Sequence, residues 1–156
     1  MKELGLLDQV LNAGFLVPQP DEESFRNAFQ LLIELEVYAA KQICANPDAS
    51  DLGKLAEVAE IAEPKDNLQA GNFHRYLWQA SKNPDMQLIG RLLTGRALVA
   101  SGQMLRLAGP SLQAPEWHNK ILAALQDADA ELTEKLVREH GNDLLEKISQ
   151  MMQNAD

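Results

Sequence analysis

Seven prolines divide this sequence into segments whose apolar residues recur at helical spacing. The prolines stand at positions 18, 20, 47, 64, 84, 110 and 115. Because proline lacks an amide hydrogen and pushes the preceding residue out of the helical region, it marks the ends of helices. Between the prolines, apolar residues step by three and four, and no convincing alternation with a period of two appears. The sequence therefore predicts an all-α fold, a bundle of helices.

The spacing predicts a helix in each of seven segments. Asp21 is expected to cap the long helix that follows "FLVPQP", since an aspartate side chain accepts a hydrogen bond from the first turn. Gly14 is expected to end a short first helix, and Asn83-Pro84 to end the helix in "NFHRYLWQASKNP". The predicted helices cover about residues 6–12, 21–45, 50–61, 68–81, 85–107, 115–128 and 129–152.

Three glycines, Gly90, Gly95 and Gly102, interrupt the predicted helix over residues 85–107. Each glycine in a helix interior costs about 1 kcal/mol relative to alanine. Their presence indicates a bend, or the close approach of another helix or of a ligand. We expect close packing to be the reason.

Length and charge exclude several classes of protein. A chain of 156 residues predicts one domain with a core of its own. The formal net charge of −9 would repel free DNA or RNA. The single cysteine, Cys44, excludes an internal disulfide and indicates a reducing compartment. No apolar run approaches the roughly 20 residues of a membrane span, and the N-terminus lacks the apolar core of a signal peptide, so we expect a cytoplasmic protein.

The three histidines, His74, His118 and His140, are the candidate functional residues. They lie in three different predicted helices, and each shares a helix face with apolar residues. For His140 that row is Leu132, Leu136, Leu144 and Ile148. Because an unpartnered buried polar group costs roughly 1–3 kcal/mol, each ring needs a partner. Separate hydrogen bonds in the core, or one divalent ion shared by all three imidazoles, would both meet this need.

Three stretches give these histidines a family context. "NFHRYLWQASKNPDMQLIGRLL" and "EWHNKILAALQDADAELTEKLVREH", in this order, resemble the FCD domain, the effector-sensing domain of FadR-type regulators in the GntR superfamily. That family runs through a D-x-x-F-H helix ending in A-S-x-N-P, an E-x-H-x-x-I-x-x-A-I helix, and a last helix with a third histidine. "LIELEVYAAKQI" is similar to the family's first helix, with its L-E-x-x-A-A core. The resemblance covers about residues 22–152.

The resemblance implies an antiparallel six-helix bundle, usually dimeric, with a central cavity. In many members this cavity holds a divalent metal bound by one aspartate and three histidines. A small organic acid binds there and changes how attached winged-helix domains sit on operator DNA. His74, His118 and His140 match the three histidines one for one. The implied partners of this chain are a divalent metal (zinc or nickel), a small organic acid and a second copy.

Two positions depart from the family pattern. The family's aspartate, four residues before the first histidine, is replaced by Ala70, with Asn67 as a weak substitute oxygen donor. The arginine that receives an effector carboxylate in many members is replaced by Leu32. Arg91 and Arg96, on the glycine-containing helix, are the candidates to bind the effector in its place, against the alternative that they are solvated surface residues.

The domain organisation follows from the same resemblance. Residues 21–156 correspond to the FCD-like ligand-binding domain, and residues 1–20 are similar to the end of a winged-helix domain or a linker. A winged-helix reader of about seventy residues precedes this domain in the family, and the first 20 residues here include no basic recognition helix. A shortened regulator and a free-standing sensor are both compatible with this.

Three functions remain open from the sequence. The first is a ligand-sensing and dimerisation domain of a GntR/FadR-type regulator that does not itself bind nucleic acid or membrane. The second is a structural bundle without metal, which Ala70 and Leu32 favour. The third is a zinc hydrolase with three histidine ligands, but no motif places a general base, and we expect no enzyme activity.

Overall fold

The computed structural model describes residues 6–10, 14–47, 50–59, 72–102, 104 and 115–154. Within these ranges the chain forms six helices and one short strand pair, which confirms the predicted all-α class. The strands are β1 (Asp8–Val10) and β2 (Gly14–Leu16). The helices are α1 (Glu22–Ala45), α2 (Gly53–Ala59), α3 (Asn72–Ala80), α4 (Pro84–Ala100), α5 (Pro115–Gln126) and α6 (Ala130–Gln153).

Helix α1 is the central element of the bundle. It begins as predicted, because the amide of Ser24 donates a hydrogen bond of 3.0 Å to the Asp21 carboxylate. Its apolar stripe includes Phe25 and Ile43, whose side chains are fully buried. α1 packs against α3, α4, α5 and α6, while α2 packs against α3 and α5. Burial of this stripe against four helices fixes the arrangement of the bundle.

The prediction of a helix over residues 6–12 is wrong for its described part. β1 pairs with β2 in an antiparallel hairpin in which Asp8 faces Leu16 and Val10 faces Gly14. Gly14, the first residue of β2, has a φ of +96°, a conformation that favours glycine. A segment this short gains too few helical hydrogen bonds to offset the cost of helix nucleation. Pairing with a second strand is therefore more favourable than helix formation.

Helix α4 begins and ends at identifiable residues. The Asn83 side chain accepts a hydrogen bond of 3.1 Å from the amide of Asp85, and Pro84 occupies the first helical position. The helix predicted to reach residue 107 ends at Ala100, since Gly102 has a φ of +58°. A Cβ on Gly102 would lie 2.7 Å from Pro20, so the chain also needs a glycine there for space.

Close packing explains two of the helical glycines. A Cβ on Gly90 would lie 2.7 Å from the ring of Trp78 on α3, so α3 and α4 approach each other more closely than side chains would allow. Gly141 on α6 has the same role against α1, because a Cβ there would lie 2.6 Å from Ile33. The expectation of close packing is confirmed for Gly90.

The buried face of α6 differs from the predicted one in its first two turns. Leu132 is 43% exposed and Leu136 is only partly buried, whereas Thr133 and Val137 are fully buried. From His140 onward the predicted row is correct, and this histidine is 2% exposed. A helix turns 100° per residue, so a row at spacing four drifts off one face over several turns.

Ion pairs join the outer faces of α1 and α6. Arg138 on α6 donates hydrogen bonds to Glu34 on α1 and to Glu134 on α6. Arg26 on α1 bridges to Glu146 on α6 at 3.0 Å. These pairs are partly exposed, so each contributes little by itself, but they lie where two long helices run side by side.

None of the described helices combines the length and the apolar character that crossing a membrane requires.

The two glycines Gly90 and Gly95 on α4 give a matched test of packing. Gly90→Ala should lower the free energy of unfolding by about 1–3 kcal/mol, because its methyl group overlaps the rigid Trp78 ring. Gly95→Ala should raise it by up to about 1 kcal/mol, since its Cβ meets only Leu6 at 3.5 Å. Urea denaturation measures both. Equal shifts in the two variants would contradict the close approach of α3 and α4.

The ion pairs predict a pH dependence of stability. Hydrogen bonds from Arg138 hold the pKa of the Glu34 carboxyl below its ordinary value, and bonds from Lys41 and Arg138 do so for Glu134. Lowered folded-state pKa values stabilise the protein above the ordinary pKa of about 4.5, and this contribution is lost as the pH falls through the folded values. Arg138→Met should therefore lose less stability on acidification than the wild type. Urea midpoints at neutral and acidic pH, with the exposed Lys135→Met as control, test this.

Candidate metal centre

Three helices bring the three histidines together. His74 lies on α3, His118 on α5 and His140 on α6, and one ligand nitrogen from each lies within 4.8 Å of the other two. The ring centroids are 5.5 Å apart for His74 and His118, 5.5 Å for His74 and His140, and 5.1 Å for His118 and His140. Nitrogens bound to a single zinc ion stand about 3–4 Å apart, so small ring movements would close the cluster around an ion.

Aromatic residues hold two of the rings in place. Phe73 stacks on His118 with centroids 4.0 Å apart and an interplanar angle of 4°. Trp117, next to His118 in sequence, lies 6.0 Å from the ring of His140. Each of these contacts joins two of the helices α3, α5 and α6, so the packing of the bundle fixes where the imidazoles point.

Several ring nitrogens in the cluster have no protein partner among the described residues. His118 Nε2 and both nitrogens of His140 are buried and accept or donate no hydrogen bond there. A buried polar atom without a partner costs about 1–3 kcal/mol. Nitrogens that converge within 4.8 Å and lack partners are the donor set that a divalent ion satisfies. The residues present therefore fit a bound metal.

The electrostatics favour the neutral imidazoles that metals bind. Burial, with the charge of His74 next in weight, lowers the pKa of His118 to about 2. Burial and the charge of His74 also lower the pKa of His140 to about 3. Both rings are thus neutral at physiological pH and keep a lone pair for a ligand.

His74 differs because a carboxylate lies beside it. Its Nδ1 is 2.9 Å from Oε1 of Glu36 on α1, and the side chain of Glu36 is 7% exposed. Burial lowers the pKa of His74, but the negative charge of Glu36 and the close contact of its carboxylate with Nδ1 raise it overall. The contact is close but not well aligned, since Nδ1 does not point its hydrogen directly at the oxygen.

The comparison with known families identifies the fold. The sequence model of the FCD domain matches residues 27–143, three quarters of the chain. The chain belongs to the FCD domain family. A search of curated proteins found no match. Among solved structures, E. coli McbR/YncC matches with a TM-score of 0.70 and 20% identity, over 96% of this chain and 75% of that one. At this identity the likeness shows the shared fold.

Membership of the FCD family supports a ligand-sensing regulatory domain. It also confirms the predicted six-helix architecture. FCD domains are known to bind metal, and the three histidines of this chain lie close enough together to hold an ion.

None of the other predicted site residues that the structure describes joins the histidine cluster. Arg91 and Arg96 on α4 are both exposed to solvent, so neither side chain is buried beside the histidines, and their role as effector ligands stays a prediction. Leu32, at the family's arginine position, is a core residue that is 7% exposed. Ala70 and Asn67 lie outside the described residues.

A groove on the surface is distinct from the histidine cluster. It lies between α1 and α6 and is lined by residues that include Asn27, Leu31, Glu34, Arg138 and Asn142. None of the three histidines lines it. The central cavity expected from the family stays a prediction, since residues 60–71 and 105–114, which precede α3 and α5, lie outside the described ranges.

Sequence reasoning did not single out Glu36 as a neighbour of the histidine cluster, although a signal was present. Glu36 interrupts the apolar stripe of α1, where its neighbours on the same face, Ile33, Val37 and Ala40, are buried. A single acidic residue in a buried stripe needs a partner, because an unpaired buried charge is strongly unfavourable. The partner lies on another helix, which is why spacing within α1 does not reveal it.

Proposed function

We propose that this FCD domain is the ligand-sensing and dimerisation domain of a GntR/FadR-type transcriptional regulator. It binds a divalent ion, zinc or nickel, through His74, His118 and His140, and a small organic acid binds at the ion. The E. coli neighbour is a GntR-family regulator, which supports the regulatory role. In this proposal the domain forms a homodimer in the cytoplasm, does not itself contact nucleic acid and has no enzyme activity.

The observation that carries the proposal is the convergence of three imidazoles from three helices, with His118 and His140 buried and His74 partly buried. Each imidazole alone would place an unpartnered nitrogen in the core. Together, the three imidazoles form one set of ligands for an ion. His118 and His140 are neutral over the physiological range, as metal ligands must be. Imidazole nitrogens suit zinc and nickel better than magnesium or calcium, which prefer oxygen ligands.

The ligand set leaves positions on the ion for an effector. His74, His118 and His140 would hold the ion, and an ion with only three protein ligands would have room to bind the carboxylate of an organic acid. The protein's contribution is to hold the imidazoles and to exclude water with the packed rings of Phe73 and Trp117. An ion in this place would allow the domain to bind an acid without the family's arginine. The buried Leu32 occupies the position of that arginine in this chain.

A second candidate is a structural bundle that binds neither metal nor acid. It is favoured by Leu32, which fills the arginine position with an apolar core side chain, and by Ala70 in the aspartate position of the sequence. The two candidates differ in metal content, so a single measurement separates them.

Metal analysis of protein purified without a histidine tag tests the proposal. The wild type should contain close to one equivalent of zinc or nickel, whereas His140→Ala should contain almost none, because the ion loses one of three ligands. Asn142→Ala, on the exposed face of the same helix, serves as control and should keep its metal. Equal metal content in His140→Ala and the wild type would refute the site, and a metal-free wild type would favour the structural bundle.

Effector binding is tested by thermal shift with a panel of small organic acids. A ligand that binds only the folded protein raises the unfolding midpoint by mass action, by an amount equivalent to roughly 2.7 kcal/mol at a hundred times its Kd. One or more acids should raise the midpoint of the metal-loaded protein. The shift should disappear after treatment with a chelator. A shift that is unchanged by chelation would place acid binding away from the ion.

A further inference from the structure

Glu36 is an unusual residue for the interior of this bundle. The residue is 6% exposed and lies on the inner face of α1, between positions occupied by Ile33, Val37 and Ala40. Taking a carboxylate out of water is costly unless it is paired. Within the described part of the chain, the ion-pair contact of Glu36 is the one to His74 Nδ1 at 2.9 Å. Among the described residues, the partner that offsets its burial is thus a member of the histidine cluster.

The contact constrains the state of the His74 ring. A carboxylate accepts hydrogen bonds and cannot donate them, so an Nδ1 lone pair at 2.9 Å would be repelled by it. Nδ1 of His74 therefore carries the hydrogen. In the neutral ring the lone pair is then on Nε2, which is the nitrogen left to bind an ion.

We propose that Glu36 is the positioning residue of the metal centre: it holds His74 with Nδ1–H toward α1 and Nε2 free for the ion, and it supplies a negative charge beside the cluster. This inference rests on the proposed function, because it concerns the same site. Glu36 acts through His74 rather than as a ligand. The cluster of mutually close ligand atoms consists of the three histidines, without the carboxylate.

The charge of Glu36 matters because the ligand set is neutral. Three imidazoles leave the two positive charges of a bound ion uncompensated, and the sequence has alanine, at position 70, where the family has its anionic ligand. A carboxylate one side chain away from the ion stabilises it through a medium of low dielectric constant. A carboxylate bonded to a ligating histidine also makes that histidine a better donor, and its removal commonly costs about 10- to 100-fold in metal affinity.

The first arm of the test is a titration of the chelator-treated protein with Co²⁺, followed by visible absorption. Glu36→Gln keeps the size of the side chain and removes its charge. We expect it to bind Co²⁺ about 10- to 100-fold more weakly than the wild type and to shift the absorption bands. Glu139→Gln removes the same charge from an exposed position next to His140 and should bind like the wild type. Wild-type affinity and spectrum in Glu36→Gln would overturn the inference.

The second arm needs no metal. Nitrogen NMR of the chelator-treated protein in mildly alkaline buffer reports which ring nitrogen of His74 carries the hydrogen. We expect Nδ1–H in the wild type and a shift toward Nε2–H in Glu36→Met, which offers no acceptor. An Nε2–H wild type, or an unchanged tautomer in Glu36→Met, would overturn the positioning role.

The two arms separate failure of this inference from failure of the proposed function. A wild type that binds no Co²⁺ would refute the metal site, while the tautomer of His74 would still test the contact with Glu36. A wild type that binds Co²⁺ as tightly as Glu36→Gln would leave the site in place and refute only the role of Glu36. Thermal melting checks that each variant is folded, and Glu36→Met repeats the titration if Glu36→Gln does not fold.

Discussion

The packing of three imidazoles, two of them buried and one partly buried, next to one carboxylate is the constraint on which the rest of this structure depends. Apolar side chains at these positions would suit the core better, since each unpartnered nitrogen costs about 1–3 kcal/mol. The rings come from α3, α5 and α6, so they converge only where all three helices keep their places in the bundle. The site is therefore a property of the whole fold rather than of a local motif.

Helix α1 connects this interior site to the outer surface. Its inner face carries Glu36, which contacts His74, and its outer face carries Glu34, which bonds to Arg138 on α6. The two glutamates are two residues apart, on opposite sides of one helix. Because α1 is rigid and contacts α3 on one face and α6 on the other, a change in the distance between α1 and α3 also changes the distance between α1 and α6. A regulator that responds to a buried ligand needs an element of this kind, because the signal must reach a surface.

The sequence predicted most of the helices, because helix formation depends on local pattern, whereas the grouping of the three histidines was expected from the resemblance to the FCD domain and not from their spacing. Asp21 and Asn83 cap helices where expected, and the step of three and four placed Phe25 and Ile43 in the core. Other features depend on contacts between distant segments, which spacing does not encode. The hairpin at Gly14 needs a partner strand, and the role of Glu36 needs His74 from another helix.

Ala70 and Leu32, the two departures from the family pattern, have a common physical explanation if the site is a set of neutral nitrogen ligands. No arginine among the described residues is buried, and Leu32 occupies the place where one would reach inward. An acid at such a site would find no buried guanidinium in the described part of the chain, and a bound ion would be its main source of positive charge. Loss of the arginine and loss of the anionic ligand then act together. With fewer negative ligands, an ion bound there would keep more of its charge, and that charge would replace the guanidinium as the partner of an acid.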